Sequence, residues 1–155
     1  LATEMAAYYK SRGMNLYDGL IELFNKYGFF IEDIFSITLK GREGQEKITY
    51  VMNKLRKDKP VWFNNSEASA VRDYLERERT CLVTGAKEPL PLPESNVLYF
   101  EMKDGSWFCI RPSGTEPKIK VYFGVSGAGI ELAQNKLNTL KDNVKQVVDK
   151  LIANS

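Results

Sequence analysis

The stretch from Val97 to Val125 constrains the fold most. Val97–Lys103 reads as a strand, Asp104-Gly105 supplies a two-residue hairpin turn, and Trp107–Arg111 reads as the returning strand. After the loop Pro112–Pro117 the chain alternates again over Lys118–Val125. Ile119, Val121, Phe123 and Val125 face one way there, and Lys118, Lys120 and Tyr122 the other. Strands joined by connections this short pair as antiparallel neighbours, because a parallel pair needs a crossover of a dozen residues or more.

The flanking segments are read against that sheet. Leu16, Leu20, Leu23, Phe24 and Tyr27 share one helical face, with Asn15 as its cap and Gly28 as its stop. Residues 1–11 read as a short helix before the turn at Gly13. Phe29–Leu39 is rich in Phe, Ile and Thr and predicts a strand, mainly over Asp33–Lys40. Ile48, Val51, Met52 and Leu55 mark an amphipathic helix. Glu43 and Glu46 lie near its start and Lys54, Arg56 and Lys57 near its end, as the helix dipole favours, and Pro60 stops it. Residues 61–95 have the weakest pattern. Ala70–Leu75 fits either strand or helix, Glu76–Arg79 reads as a solvated face, and Pro89, Pro91 and Pro93 as a stiff connector. Gly124–Gly129 reads as a turn before a helix with Ala133, Leu137, Leu140, Val144, Val147, Val148 and Leu151 on its apolar side.

This order predicts an α+β fold: a mostly antiparallel sheet of about four strands flanked by two helices, with an N-terminal helical segment. Residues 1–28 are expected to be the helical tail of a preceding domain, and residues 29–155 a C-terminal phosphate-binding domain. The first residue is not Met and the opening reads as the inside of a helix, so a piece of a longer protein is expected.

Composition narrows the chemistry. The 155 residues include no histidine, which excludes Ser-His and Cys-His nucleophile pairs and histidine-ligated metals. Cys81 and Cys109 have neither metal-type spacing nor a disulfide framework, which points to a reducing, cytoplasmic setting. A net charge of +2 is too small to argue for a nucleic-acid partner by field alone, and no run approaches a membrane span. Tyr99, Phe100, Trp107, Phe108, Tyr122 and Phe123 could stack bases on an open sheet, but alternation sends half of them into a core and no basic stripe accompanies them. No nucleic acid and no membrane partner are expected.

The loop Arg111-Pro112-Ser113-Gly114-Thr115-Glu116-Pro117, with Lys120 beyond it, carries the candidate chemistry. Arg111 offers a planar fork of donors suited to phosphate. Ser113 and Thr115 add hydroxyls, and Gly114 lets the backbone approach an anion. Lys120 returns charge from the neighbouring strand, and the two prolines stiffen both ends. The same residue types also make ordinary hairpin loops, and on residue types alone both readings stand.

The uninterrupted string Arg111–Tyr122 resembles the C-terminal phosphate-binding loop of the α-D-phosphohexomutases, the phosphoglucomutase and phosphomannomutase family. Lys40-Gly41, Glu43-Gly44, Glu46-Lys47-Ile48, Ser95–Leu98 and Asp104–Trp107 are similar to that family too. Ala6–Lys10 with Leu16–Gly28 resembles the end of its third domain.

The resemblance implies a four-domain parent in which a phosphoserine exchanges a phosphoryl group between the C1 and C6 hydroxyls of a hexose. It implies that Arg111, Ser113, Gly114, Thr115 and Lys120 grip the substrate phosphate that is not being transferred, and that Glu116 and Pro117 shape the loop. The partners implied are a hexose phosphate and the parent's other domains. The phosphoserine, sugar-reading and metal loops are absent from these residues. This chain alone is therefore expected to hold no catalytic residue, no metal and no cofactor, with magnesium expected in the parent. A phosphopentomutase or glucosamine-phosphate mutase domain is the alternative, followed by a nucleic-acid module.

Overall fold

The computed structural model describes residues 1–155. It opens with a helical hairpin, α1 (Ala2–Ser11) and α2 (Leu16–Tyr27). The Asn15 side chain accepts from the Asp18 N–H at 3.0 Å while Asp18 accepts from the Asn15 N–H at 2.9 Å, so both ends of a capping box are closed. Gly28, at φ 99°, turns the chain into β1 (Phe29–Thr38).

Then come α3 (Gly41–Asp58), β2 (Trp62–Phe63), β3 (Ser66–Asp73), β4 (Glu78–Cys81), β5 (Lys87–Pro89), β6 (Leu98–Met102), β7 (Trp107–Pro112), β8 (Lys118–Gly127) and α4 (Ile130–Ala153). The sheet order is β1-β8-β7-β6-β3-β4-β5, with β2 paired to β3, and every pairing is antiparallel. The fold is α+β, as the pattern predicts, with eight strands rather than about four.

The extra strands come from residues 61–95. Ala68, Ala70 and Val71 are buried, so Ala70–Leu75 resolves mostly as strand. The Glu76–Arg79 run is not simply a solvated face, because Glu78 and Arg79 begin β4. Arg79 bridges Glu101 at 2.7 Å and Lys59 meets Glu78 at 3.2 Å. Alternation in β3 is hidden because Ala70 and Val71 are buried in succession beside a register shift against β6, and because the buried residues Ala68, Ala70 and Asp73 are small or charged. The expected turn at Gly124–Gly129 begins later, since β8 runs to Gly127. Gly124 is a strand residue whose missing side chain makes room for Trp107: a Cβ there would lie 2.3 Å from the indole. The first strand starts at Phe29 and ends at Thr38, slightly earlier than the span Asp33–Lys40.

One face of the sheet packs against α3 and α4. Phe63, Phe100, Phe108 and Phe123 are fully buried and meet with centroids 4.8–6.1 Å apart, Phe100 stacked on Phe108 and Phe63 edge-on to both. From α3 come Ile48, Val51, Met52 and Leu55, and from α4 come Ala133, Leu137, Leu140, Val144 and Val148. The opposite sheet face carries Tyr99, Trp107, Cys109, Arg111, Lys120 and Tyr122, and no helix covers it. No helix is long and apolar enough to cross a membrane.

Candidate phosphate-binding loop

β7 and β8 lie side by side with Phe108, Ile110, Ile119, Val121 and Phe123 in the core. Inward burial fixes the register, because a slip of one residue would turn every core side chain outward. That register sets Arg111 directly opposite Lys120 and Pro112 opposite Ile119. The Ser113 N–H donates to the Lys118 carbonyl at 2.8 Å and closes the hairpin. Gly114, Thr115, Glu116 and Pro117 form the tip. The Lys118 N–H donates to the Glu116 carbonyl at 2.8 Å, and the Pro117 carbonyl accepts from the Leu39 N–H at 2.9 Å, which ties the loop to the end of β1.

Within this frame the candidate donors stay free. The backbone N–H groups of Gly114, Thr115 and Glu116 donate to nothing in the chain. The hydroxyls of Ser113 and Thr115, the Arg111 guanidinium and the Lys120 ammonium likewise make no hydrogen bond or ion pair. The one ion pair of the loop joins Glu116 to Lys118 at 2.9 Å. Its hydrogen bond to Lys118, and the charges of Lys118 and then Lys120, hold the Glu116 carboxyl below its ordinary range.

Arg111 and Lys120 are therefore two like charges directly opposed across a strand pair, an arrangement that destabilises a sheet. No acid offsets them except Glu116, which is already engaged by Lys118. A bound anion would remove that repulsion. Gly114 adds a second clue. Its φ lies outside the left-handed region and a Cβ there would meet nothing within 4 Å. The fold itself does not demand glycine at this position.

Of the expected site residues, the register brings Arg111 and Lys120 together, and the hairpin holds Ser113, Gly114 and Thr115 next to them. Alternation places Tyr122 on the same face as Lys118 and Lys120. The structure adds that its ring lies under the guanidinium, with Arg111 Cζ 5.8 Å from the ring centroid. Single-residue patterning carries no signal for such a diagonal contact.

A concavity of about 560 Å³ lies elsewhere, beside Trp62, Glu67, Lys103 and Lys136. Its charges are paired within the chain: Lys103 with Glu67 at 3.0 Å and Lys136 with Asp104 at 3.1 Å. It offers an anion less than the loop does.

Comparison with known proteins decides the family. Residues 54–135, which include the whole loop, match the family described as phosphoglucomutase/phosphomannomutase, C-terminal domain. The chain belongs to this family. A phosphoglucomutase of Staphylococcus haemolyticus is 35% identical over 117 residues, which is 76% of this chain and 21% of that protein. One from Staphylococcus aureus is 32% identical over 140 residues, 90% of this chain and 25% of that protein. This phosphohexomutase domain thus spans about a quarter of the length of such relatives. The open form of pp63/parafusin, a Paramecium phosphoglucomutase, shares the fold with a TM-score of 0.52 at 14% identity, covering 90% of this chain and 23% of that one.

No group of three or more His, Cys, Asp and Glu residues lies together in the chain.

Proposed function

We propose that this chain is the substrate-phosphate-binding domain of a phosphoglucomutase/phosphomannomutase-type enzyme, one that moves a phosphoryl group between the C1 and C6 hydroxyls of a hexose through a phosphoserine. The observation that carries this reading is the unneutralised pair Arg111–Lys120, beside three free backbone N–H groups and two free hydroxyls on one hairpin. A tetrahedral dianion can accept from the guanidinium, the ammonium, the hydroxyls of Ser113 and Thr115, and the backbone at Gly114. Family membership and the Staphylococcus relatives support the sugar-phosphate class.

In that role the loop holds the phosphate that is not reacting. Phosphoryl transfer depends heavily on position and on stabilising charge, and a grip at the distal phosphate contributes to both. A loop tied at both ends, by Ser113–Lys118 and Leu39–Pro117, loses little freedom on binding. The phosphoserine and the magnesium would come from other parts of the parent. This chain alone binds ligand without turning it over. The helical hairpin 1–28 is then the tail of a preceding domain, and residues 29–155 are the binding domain. Leu16, Leu20, Leu23 and Tyr27 support that division, because the apolar face of α2 is left largely exposed.

Calorimetric titration with glucose 6-phosphate tests the reading. Arg111→Ala should weaken binding by about 1.5–3 kcal/mol, the worth of a charge-assisted hydrogen bond, with no fall in melting temperature, since it also relieves the repulsion from Lys120. Gly114→Ala should also fold normally, since its Cβ meets nothing, yet bind more weakly. Equal affinity of wild type and Arg111→Ala rejects the site.

A further inference from the structure

The guanidinium of Arg111 is exposed and makes no hydrogen bond, and its direct neighbour across the sheet is another cation. Repulsion from Lys120 should drive so long a side chain away from the place where both are needed. One contact opposes this. Tyr122 lies two residues beyond Lys120 on β8, and the register pairs it with Cys109, so Arg111 and Tyr122 are diagonal neighbours on the open face. Long and aromatic side chains reach across such a diagonal. Arg111 Cζ sits 5.8 Å from the centre of the ring, within the range in which the electron-rich face attracts a cation.

We propose that Tyr122 is a positioning residue of the phosphate site, its ring holding the Arg111 guanidinium beside Lys120 so that both cations await one tetrahedral anion. This rests on the phosphate-site reading. The ring offsets part of the Lys120 repulsion in the empty site and lowers the ordering needed when phosphate arrives. Its place on the scaffold suits that task. Val121 and Phe123, on either side in sequence, are fully buried and fix the strand, so the ring is aimed by the core rather than by a mobile loop. The phenol hydroxyl makes no hydrogen bond within the chain, so the aromatic face is the acting group. Phenylalanine should therefore replace it and leucine should not, although leucine covers the sheet almost as well.

The test titrates glucose 6-phosphate into the full chain. Tyr122→Phe should bind as wild type, and Tyr122→Leu should lose about three- to tenfold in affinity. In an Arg111→Ala background the leucine substitution should cost nothing further, because the ring then has no guanidinium to hold. The Arg111 side-chain protons supply a spectroscopic readout: NMR should show ring-current shifts in wild type and Tyr122→Phe that disappear in Tyr122→Leu. Unchanged affinity in Tyr122→Leu, or an equal loss with and without Arg111, overturns the proposal. Should the leucine variant not fold, wild-type and Tyr122→Phe spectra decide: Arg111 protons at ordinary unstacked positions overturn it, and shifted ones uphold it. If Arg111→Ala itself leaves binding intact, the phosphate site fails first and this proposal falls with it. A normal Arg111 effect with a silent Tyr122→Leu removes this inference alone.

Discussion

Glu101 sits between two arginines on the uncovered face of the sheet, 2.7 Å from Arg79 and 2.6 Å from Arg72. The hydrogen bond from Arg79 is the largest influence on its carboxyl. Burial acts against it, and Arg72 adds to it, so that the group is pulled from 4.5 down to about 2. Both arginines are raised in turn. A carboxyl whose folded pKa is depressed contributes stability that is complete above its unfolded value and fades as the pH falls through the folded one. The window here runs from about 4.5 to about 2. Glu101→Gln should lose about 2–3 kcal/mol at neutral pH, somewhat below the full linkage value because the group retains some contact with water. Urea unfolding followed between pH 7 and pH 2 checks this: wild type should lose the increment across that window, and the variant should lack that share of the acid slope while keeping the share of the other lowered carboxyls. Parallel curves for the two proteins would mean that the triad contributes nothing. The same triad keeps Arg72 and Arg79 engaged, so Arg111 and Lys120 are the cations of this face left for a ligand.

At the level of single elements, α3 offers a substitution whose sign is decided by packing. Gly44 lies inside the helix, where replacement by alanine ordinarily gains about 1 kcal/mol. Here an added Cβ would meet the Leu39 carbonyl oxygen at 2.3 Å and its carbon at 2.5 Å. Those are backbone atoms and cannot swing aside. Gly44→Ala should therefore destabilise by about 1–3 kcal/mol, as overpacking does, and a thermal melt that rises instead would contradict the close approach of α3 to the β1 exit. The elements legible in the sequence are those where burial follows a simple period. α3, α4 and the β6-β7-β8 meander each present one apolar side, and the Asp104-Gly105 turn sets the pairing. β2, β4 and β5 escaped because they have only 2, 4 and 3 residues, too few to show a period. β8 runs past its expected end because Gly124 looks like a breaker, and only the Trp107 ring across the strand pair shows why glycine stands there. The loop residues were legible as a motif. Their lack of internal partners, and the ring beneath Arg111, depend on register and so needed three dimensions.

Across the whole molecule, the two ends of the β1–β8 pair carry different duties. Phe29 pairs with Gly127 at the end next to the helical hairpin, and Thr38 pairs with Lys118 at the end next to the phosphate loop. Ten-residue strands place those ends about 30 Å apart at roughly 3.3 Å per residue. The hairpin is also weakly joined to the sheet. α1 buries no residue, and α2 buries only Gly19, which lies against Tyr9 within the hairpin itself. Its link to the core runs through Phe24, whose ring is 5.1 Å from that of Phe29. Removing residues 1–28 should therefore leave a domain that unfolds cooperatively, weakened by about 1–3 kcal/mol for the uncovered Phe29. Its affinity for glucose 6-phosphate should match that of the full chain, since nothing near Arg111, Lys120 or Tyr122 is disturbed. Denaturant melts and calorimetry on residues 29–155 supply both numbers. A truncated chain that fails to fold would place the domain boundary before α2. One that folds but binds tenfold more weakly would mean that the hairpin and the loop are coupled through the strands between them.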